Sequence, residues 1–355
     1  MGRSALLFLA GLVLMLLVVE TLLHCLPVSS ATRTGYHIDP VILTYPPQHS
    51  WTASTGWDLR NSQRLSANNL GFVAARDFTS DRQAIGLIGD SYVEAGMLDL
   101  PERPAAQLEL ALQFRRPVYA LGAPGSALLD YAERIRFASE RLGIHDFIVV
   151  MEAGDVRQSI CGSGNVHGPC LDPNSFQPRL ELLASPSWAK RVFRHSALAQ
   201  YAMGQLKFDA ANLMRKAMSG QNIVSSMPAM AAATSAPRGI KDERWRRDVM
   251  VETVAQHFFD RIKPYATGQL VFVVDGRRSA AALKSDAAAN TALMQERSAF
   301  IALARQHGAT VIDAETLYHQ HWIKSGLALE VGPYDGHLNS LGVGLLMRAV
   351  AESFR

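Results

Sequence analysis

Acyl transfer through serine needs an exposed hydroxyl, an imidazole to take its proton, a carboxylate to orient the imidazole, and N–H groups to hold the oxyanion. The 355-residue chain offers each of these. Ser91 ends the run Gly89-Asp90-Ser91, while His337 and Asp335 share the short run Asp335-Gly336-His337. The oxyanion donors would be the N–H of Ser91 itself and that of Gly125, in Gly122-Ala-Pro-Gly125. Asp90, Gly154, Asp155 and Asn165 complete the candidate site, on the side where substrate would bind. Taken singly these residues mean little. A serine after Gly-Asp caps helices more often than it attacks esters, and a lone loop histidine is ordinarily solvent-exposed.

What gives them meaning is the elements that must carry them. Ile85–Ile88 is a short apolar run, as in a strand buried inside a parallel sheet, and it stops at Gly89-Asp90-Ser91. A helix over Pro104–Gln113 is followed by a second strand, Pro117–Leu121, which stops at the glycine run ending in Gly125. Ser126 is the expected N-cap of a helix over Ala127–Leu142, with Leu128, Ala132, Ile135, Ala138 and Leu142 on one apolar face and Gly143 as its stop. Asp146–Glu152 is continuously apolar between its ends and is expected to be a central strand. Residues 156–240 interrupt the rhythm, with a cysteine loop, prolines, a helical segment near His195–Met218 and a low-charge Ser225–Pro237 stretch. An insertion there would cover the active-site edge as a lid or recognition cap, or be without consequence. The pattern then resumes with a helix (Glu243–Lys263), a strand (Gln269–Asp275), a helix (Ala288–His307), a strand (Thr310–Asp313) and a closing helix from Leu341. Alternation at this spacing implies right-handed βαβ units: an α/β, flavodoxin-like three-layer sandwich around a central parallel sheet. Residues 82–355 would form that domain, with 29–81 an extended lead-in packed on it.

The order of the motifs resembles the SGNH (GDSL) hydrolase family. Gly89-Asp90-Ser91 is similar to its first block, Ala120–Gly125 to its glycine block, Met151–Asp155 to its third, and Asp335-Gly-His337-Leu-Asn339 to its last. The resemblance covers about residues 68–355 and implies an SGNH-type fold and ester hydrolysis. Two positions depart from it. Gly154 stands where the family's oxyanion asparagine belongs, and Asp-x-His replaces Asp-x-x-His, with Tyr334 at the expected carboxylate place. Asn165 and Gln158 are the nearby side-chain amides that would replace the lost donor.

The amino terminus sets the compartment. Arg3 precedes fifteen uninterrupted apolar residues, Ala5–Val19, and apolar character resumes after Glu20 to Val28. Residues 5–28 are therefore read as an inner-membrane anchor with Arg3 cytoplasmic and the rest periplasmic; cleavage before Ala31, with secretion, is the alternative. In an oxidising compartment, Cys161 and Cys170 close a glycine-rich loop as a disulfide, whereas a metal site with His167 would have only three clustered ligands. With net charge +3 and no dense basic run, nucleic acid is not an expected partner. Nor is any metal or organic cofactor implied. The expectation is an extracytoplasmic serine esterase or O-acyltransferase acting on small esters or O-acetylated glycans of the envelope or an exopolysaccharide. A catalytically weak or inactive SGNH-like module that binds glycan or scaffolds an envelope assembly is the alternative that Gly154 favours.

Overall fold

The structure, a computed structural model, describes residues 2–164, 167–206, 243–278, 291–332 and 335–354. The chain divides into two compact units, residues 1–32, 50–65 and 184–232 in one, and 33–49, 66–183 and 233–355 in the other.

The larger unit is built on a five-stranded parallel sheet of β3 (Ile85–Gly89), β4 (Val118–Gly122), β5 (Asp146–Met151), β8 (Leu270–Val274) and β9 (Thr310–Asp313). The spatial order is β4-β3-β5-β8-β9. β5 is central, as its unbroken apolar run requires: Phe147, Val149 and Met151 enter one hydrophobic layer, Ile148 and Val150 the other. On the first face pack α4 (Leu128–Leu142), α8 (Glu243–Ile262) and α9 (Ala292–Gln306), through residues such as Ile135, Phe258 and Phe300. On the second lie α2 (Ser91–Glu94), α3 (Pro104–Ala111), α10 (Ala314–Ser325) and α11 (Ser340–Glu352), through Val93, Leu108, Tyr318 and Leu346. This is the three-layer α/β sandwich expected from the alternation. All five residues assigned to the apolar face of α4 are buried. Its N-cap differs: Ala127 holds that place, its N–H donating to Asp130 Oδ2 at 2.8 Å, while the Ser126 hydroxyl turns back to the Ala123 carbonyl.

Beyond β5 the chain makes one helical turn, α5 (Asp155–Gln158), then the ribbon β6 (Pro169–Leu171) and β7 (Pro178–Leu180). A disulfide joins Cys161 to Cys170. The sulfurs are thus committed to each other, and the alternative metal site with His167 does not form. Asn165, Tyr334 and the Ser225–Pro237 stretch lie outside the described residues.

The smaller unit contains α1 (Arg3–His24), a two-stranded sheet of β1 (Ser50–Thr55) and β2 (Arg60–Ser66, its last residue in the larger unit), and α6 (Trp188–Phe193) and α7 (Ala197–Gln200), followed by a π-helical turn. The two strands are regular structure within the stretch read as an extended lead-in. Their runs, Ser-Trp-Thr-Ala-Ser-Thr and Arg-Asn-Ser-Gln-Arg-Leu-Ser, are too polar for the apolar alternation that marks a half-buried strand. Helix α1 has 22 residues, a mean hydropathy of 2.7 over its most apolar 18-residue window, and is long and apolar enough to cross a membrane.

Candidate active site

The first corner is made by the chain's own capping. Asp90 accepts the Tyr92 N–H at 2.9 Å, which starts α2 with Ser91 as its first residue. One turn later Ala95 adopts a left-handed φ of 44° and returns its N–H to the Ser91 carbonyl. The second corner lies beside it, because Gly89 and Gly122 are paired at the ends of β3 and β4. A Cβ at Gly122 would stand 2.7 Å from Glu94 N and 2.8 Å from Asp90 O, so only glycine lets the α2 backbone press against this strand end. Gly125 follows with φ +69°. Neither the Ser91 N–H nor the Gly125 N–H donates to any group among the described residues. Both corners sit at the carboxyl edge of the sheet, and Ser91 leads off β3 where it adjoins β5, the topological switch point.

The third contributor arrives from the far end of the sequence. Val331 N–H bonds the His337 carbonyl and Asn339 N–H bonds the Leu329 carbonyl, so the loop is pinned as a short antiparallel pairing. Asn339 then caps α11 through Gly342 N–H and donates its amide to Ala328 O. Asp335 Oδ1 accepts both the backbone N–H of His337 (2.9 Å) and the ring Nδ1 (2.5 Å). The Asp-x-His spacing works because the turn brings the carboxylate back under its own histidine. His337 Nε2 lies 2.8 Å from Ser91 Oγ. With Nδ1 facing a carboxylate, the proton belongs on Nδ1, and Nε2 is left to accept from the serine hydroxyl.

Electrostatics agree with that assignment. Burial by itself lowers the basicity of His337, but the hydrogen bond and charge of Asp335 outweigh it and hold the imidazole above its ordinary 6.5. Burial likewise opposes ionisation of Asp335, and its bonds to His337 still bring it below 3.8.

A second layer was not legible in the motifs. Arg278, four residues past the end of β8, pairs with Asp275 at 2.5 Å and donates to the carbonyl of Gly336, the residue between Asp335 and His337. Its guanidinium stands 4.9 Å over the Tyr92 ring and bonds the Tyr92 hydroxyl, and the Tyr92 ring lies 5.1 Å from that of His337. Tyr318 fixes Asp275 from behind at 2.8 Å. The one available signal was Asp275-Gly-Arg-Arg278 at a strand's carboxyl end, where the other corners also lie.

The residues assigned to substrate fare differently. Asp155 is 0% exposed, with Oδ2 accepting from Glu152 N–H and the Tyr131 hydroxyl, so it positions the β5 corner and cannot touch substrate. Asp90 is also buried and is spent on its cap. The carboxylates of Asp90, Glu152 and Asp155 come within 4.8 Å of one another, a spacing that would suit a cation. Burial raises all three, Asp90 to about 6, and repulsion adds to it, from Glu152 at Asp90, from Asp275 at Glu152, and from Asp90 and Glu152 at Asp155. Gly154 is partly exposed, and a Cβ there would lie 2.8 Å from Gln158 Nε2. The Gln158 amide thus fills the space a side chain at 154 would enter, and it bonds Glu152. His167, in the disulfide loop, stands beside Gly125, its ring 3.5 Å from where a Cβ would be.

No family model and no curated protein matches the chain. Among solved structures it is similar to an α/β hydrolase enzyme from the metagenome of Lake Arreo, Spain, at 12% identity over 78% of this chain and 97% of the other, TM-score 0.42. It is similar also to a member of the lipolytic protein G-D-S-L family from Veillonella parvula (10% identity, 76% and 97% covered, TM-score 0.39). A third is an acetyl xylan esterase from Geobacillus stearothermophilus (12% identity, 77% and 95% covered, TM-score 0.41).

Proposed function

We propose that the chain is a serine esterase or O-acyltransferase of SGNH type. The observation that carries this reading is the relay from Ser91 Oγ through His337 to Asp335, with two unused N–H groups at the same sheet edge. His337 Nε2 takes the hydroxyl proton as Ser91 Oγ bonds the ester carbonyl carbon. The Ser91 and Gly125 N–H groups receive the developing oxyanion, each such donor being worth about 10²–10³ in rate. Collapse breaks the bond to the alcohol oxygen, which leaves with the proton from His337, and the acyl group stays on Ser91. Water or a sugar hydroxyl, deprotonated by the same nitrogen, then attacks the acyl carbon and releases Ser91. Asp335 balances the imidazolium in both halves. Gln158, in the space beside Gly154, is the side-chain amide best placed to add a third donor.

In this reading α1 is retained as a single-pass anchor with Arg3 in the cytoplasm, and the disulfide fits an oxidising, periplasmic site. Release by cleavage before Ala31 is the alternative outcome. An extracytoplasmic position brings O-acetylated envelope or exopolysaccharide glycans within reach. The test is fluorophosphonate labelling of the full chain in detergent, read by peptide mass spectrometry, beside His337→Ala. Stoichiometric adduct on Ser91, lost in the variant, is expected. An unlabelled Ser91 in folded protein would overturn the catalytic reading.

A further inference from the structure

We infer that α6 and the turn after it form a membrane-interface foot that lies against the lipid surface where α1 leaves the bilayer. The inference rests on reading α1 as a membrane span. At 1.5 Å per residue its 22 residues are about 33 Å long, enough for a hydrocarbon core of about 30 Å. From Leu6 to Leu22 its large side chains are exposed or partly so; burial begins at Leu23, near the carboxyl end.

What covers that end is the segment in question. Glu20 lies one turn before the end of α1, and its carboxylate accepts the Ser196 hydroxyl (2.8 Å) and the N–H groups of Ala197 (2.7 Å) and Leu198 (2.9 Å). Val19 and Leu23 pack with Ala197, Leu198 and Tyr201 in one small cluster. A carboxylate near membrane depth is costly unless it is partnered, and here the start of α7 partners it. Residues 196–201 are therefore fixed at the height of the helix exit.

Immediately before them, α6 turns its apolar side chains outward. Trp188 is 72% exposed, Val192 59% and Phe193 52%. Trp188 and Val192, four apart, share a helix face. Lys190, Arg191 and Arg194 form no ion pair among the described residues. Outward aromatic and branched apolar groups interleaved with unpaired cations suit a bilayer interface, where rings sit at headgroup level and cations meet anionic lipid. Continuity with α1 favours the membrane over a protein partner as occupant. A second exposed aromatic, Trp57 between β1 and β2, is tied in by the Tyr201 hydroxyl at 2.7 Å.

The test reconstitutes the full chain in phosphatidylcholine–phosphatidylglycerol vesicles carrying lipids brominated near the headgroup or near the chain ends. The emission of Trp188 is taken as the difference between wild type and Trp188→Tyr. Quenching about twofold stronger by the shallow bromines is expected, weakened in Lys190→Glu/Arg191→Glu/Arg194→Glu. Alkaline extraction and intact mass report α1 separately. A chain retained in vesicles whose Trp188 is quenched only by aqueous iodide overturns the foot and leaves the anchor standing. Release of a chain shortened at its amino terminus overturns both.

Discussion

Replacing Asp335 by asparagine removes one charge and little else. The amide oxygen can still accept the His337 N–H that Asp335 Oδ1 now holds at 2.9 Å, so the turn has reason to persist. The imidazolium formed during catalysis loses its counter-charge. Taking the two charge centres about 4 Å apart and an effective dielectric of about 20, the missing attraction is about 4 kcal/mol, or about three powers of ten in rate. Both side chains are less than a third exposed, so solvent screens this only in part. A fall in kcat of about 10²–10⁴ is therefore expected. The pH profile adds a sign. Protonated His337 cannot take the Ser91 proton, so activity is lost as pH falls through its pKa. In the wild type Asp335 holds that pKa above 6.5, placing the acid limb above 6.5. In the variant burial acts unopposed by the carboxylate, and the limb should move down. Hydrolysis of a chromogenic aryl acetate across pH, with thermal melts as a folding control, reads both effects. A folded Asp335→Asn protein with kcat within threefold of wild type and an unmoved limb would refute the relay.

Three further substitutions probe the supports. Gly122→Ala drives a methyl into the backbone of α2 at Glu94 N and Asp90 O, and should cost about 2–3 kcal/mol or more by chemical denaturation and lose fluorophosphonate labelling, whereas a neutral outcome would mean the corner is looser than drawn. Arg278→Gln leaves Asp275 buried without its cation and frees the Gly336 carbonyl; a destabilisation of about 3–5 kcal/mol is expected, with His337 more basic because a repelling charge is gone, and an acid limb that fails to rise would contradict this. Gln158→Ala should lower kcat by about 10²–10³ with KM little changed if the amide serves the oxyanion, and a loss under threefold would leave the two backbone donors alone.

The sheet was legible because four of its strands are short apolar runs bounded by glycine or charge, as a parallel sheet buried on both faces demands, and only the edge strand β9, Thr-Val-Ile-Asp, is half-polar. Ser91, Gly125 and the Asp335–His337 loop were legible because each follows such a run or precedes a closing helix. The supporting layer was not. The pair Asp275–Arg278 is close in the chain, but Tyr92 and Tyr318 come from elsewhere, and only the folded sheet edge brings them to it. Asp155 was misassigned because sequence marks a polar residue at a strand end without saying which way it faces; here it turns inward to Tyr131. The polar ribbon of β1 and β2 lacks the apolar alternation that marks a strand.

The three carboxylates packed behind the nucleophile have a consequence for how the protein is kept and used. Asp90 is raised from 3.8 to about 6, and Glu152 and Asp155 are raised as well, so the folded state binds protons that the unfolded chain releases. Their contribution to stability is whole at acid pH and drains away as pH climbs through these values. His337, also raised, drains in the same direction, while Asp335, lowered, weakens the fold only as pH drops below the ordinary carboxylate range. Turnover runs the other way, since it needs His337 unprotonated. The melting temperature should therefore fall as pH rises from 3.8 through about 6, the range of Asp90, and on past the ordinary 6.5 of His337, while kcat/KM rises, and Asp155→Asn should flatten the melting trend without moving the kinetic one. These directions set lifetime against output: acid favours the fold and alkali the free imidazole, so a shift in ambient pH would trade one for the other.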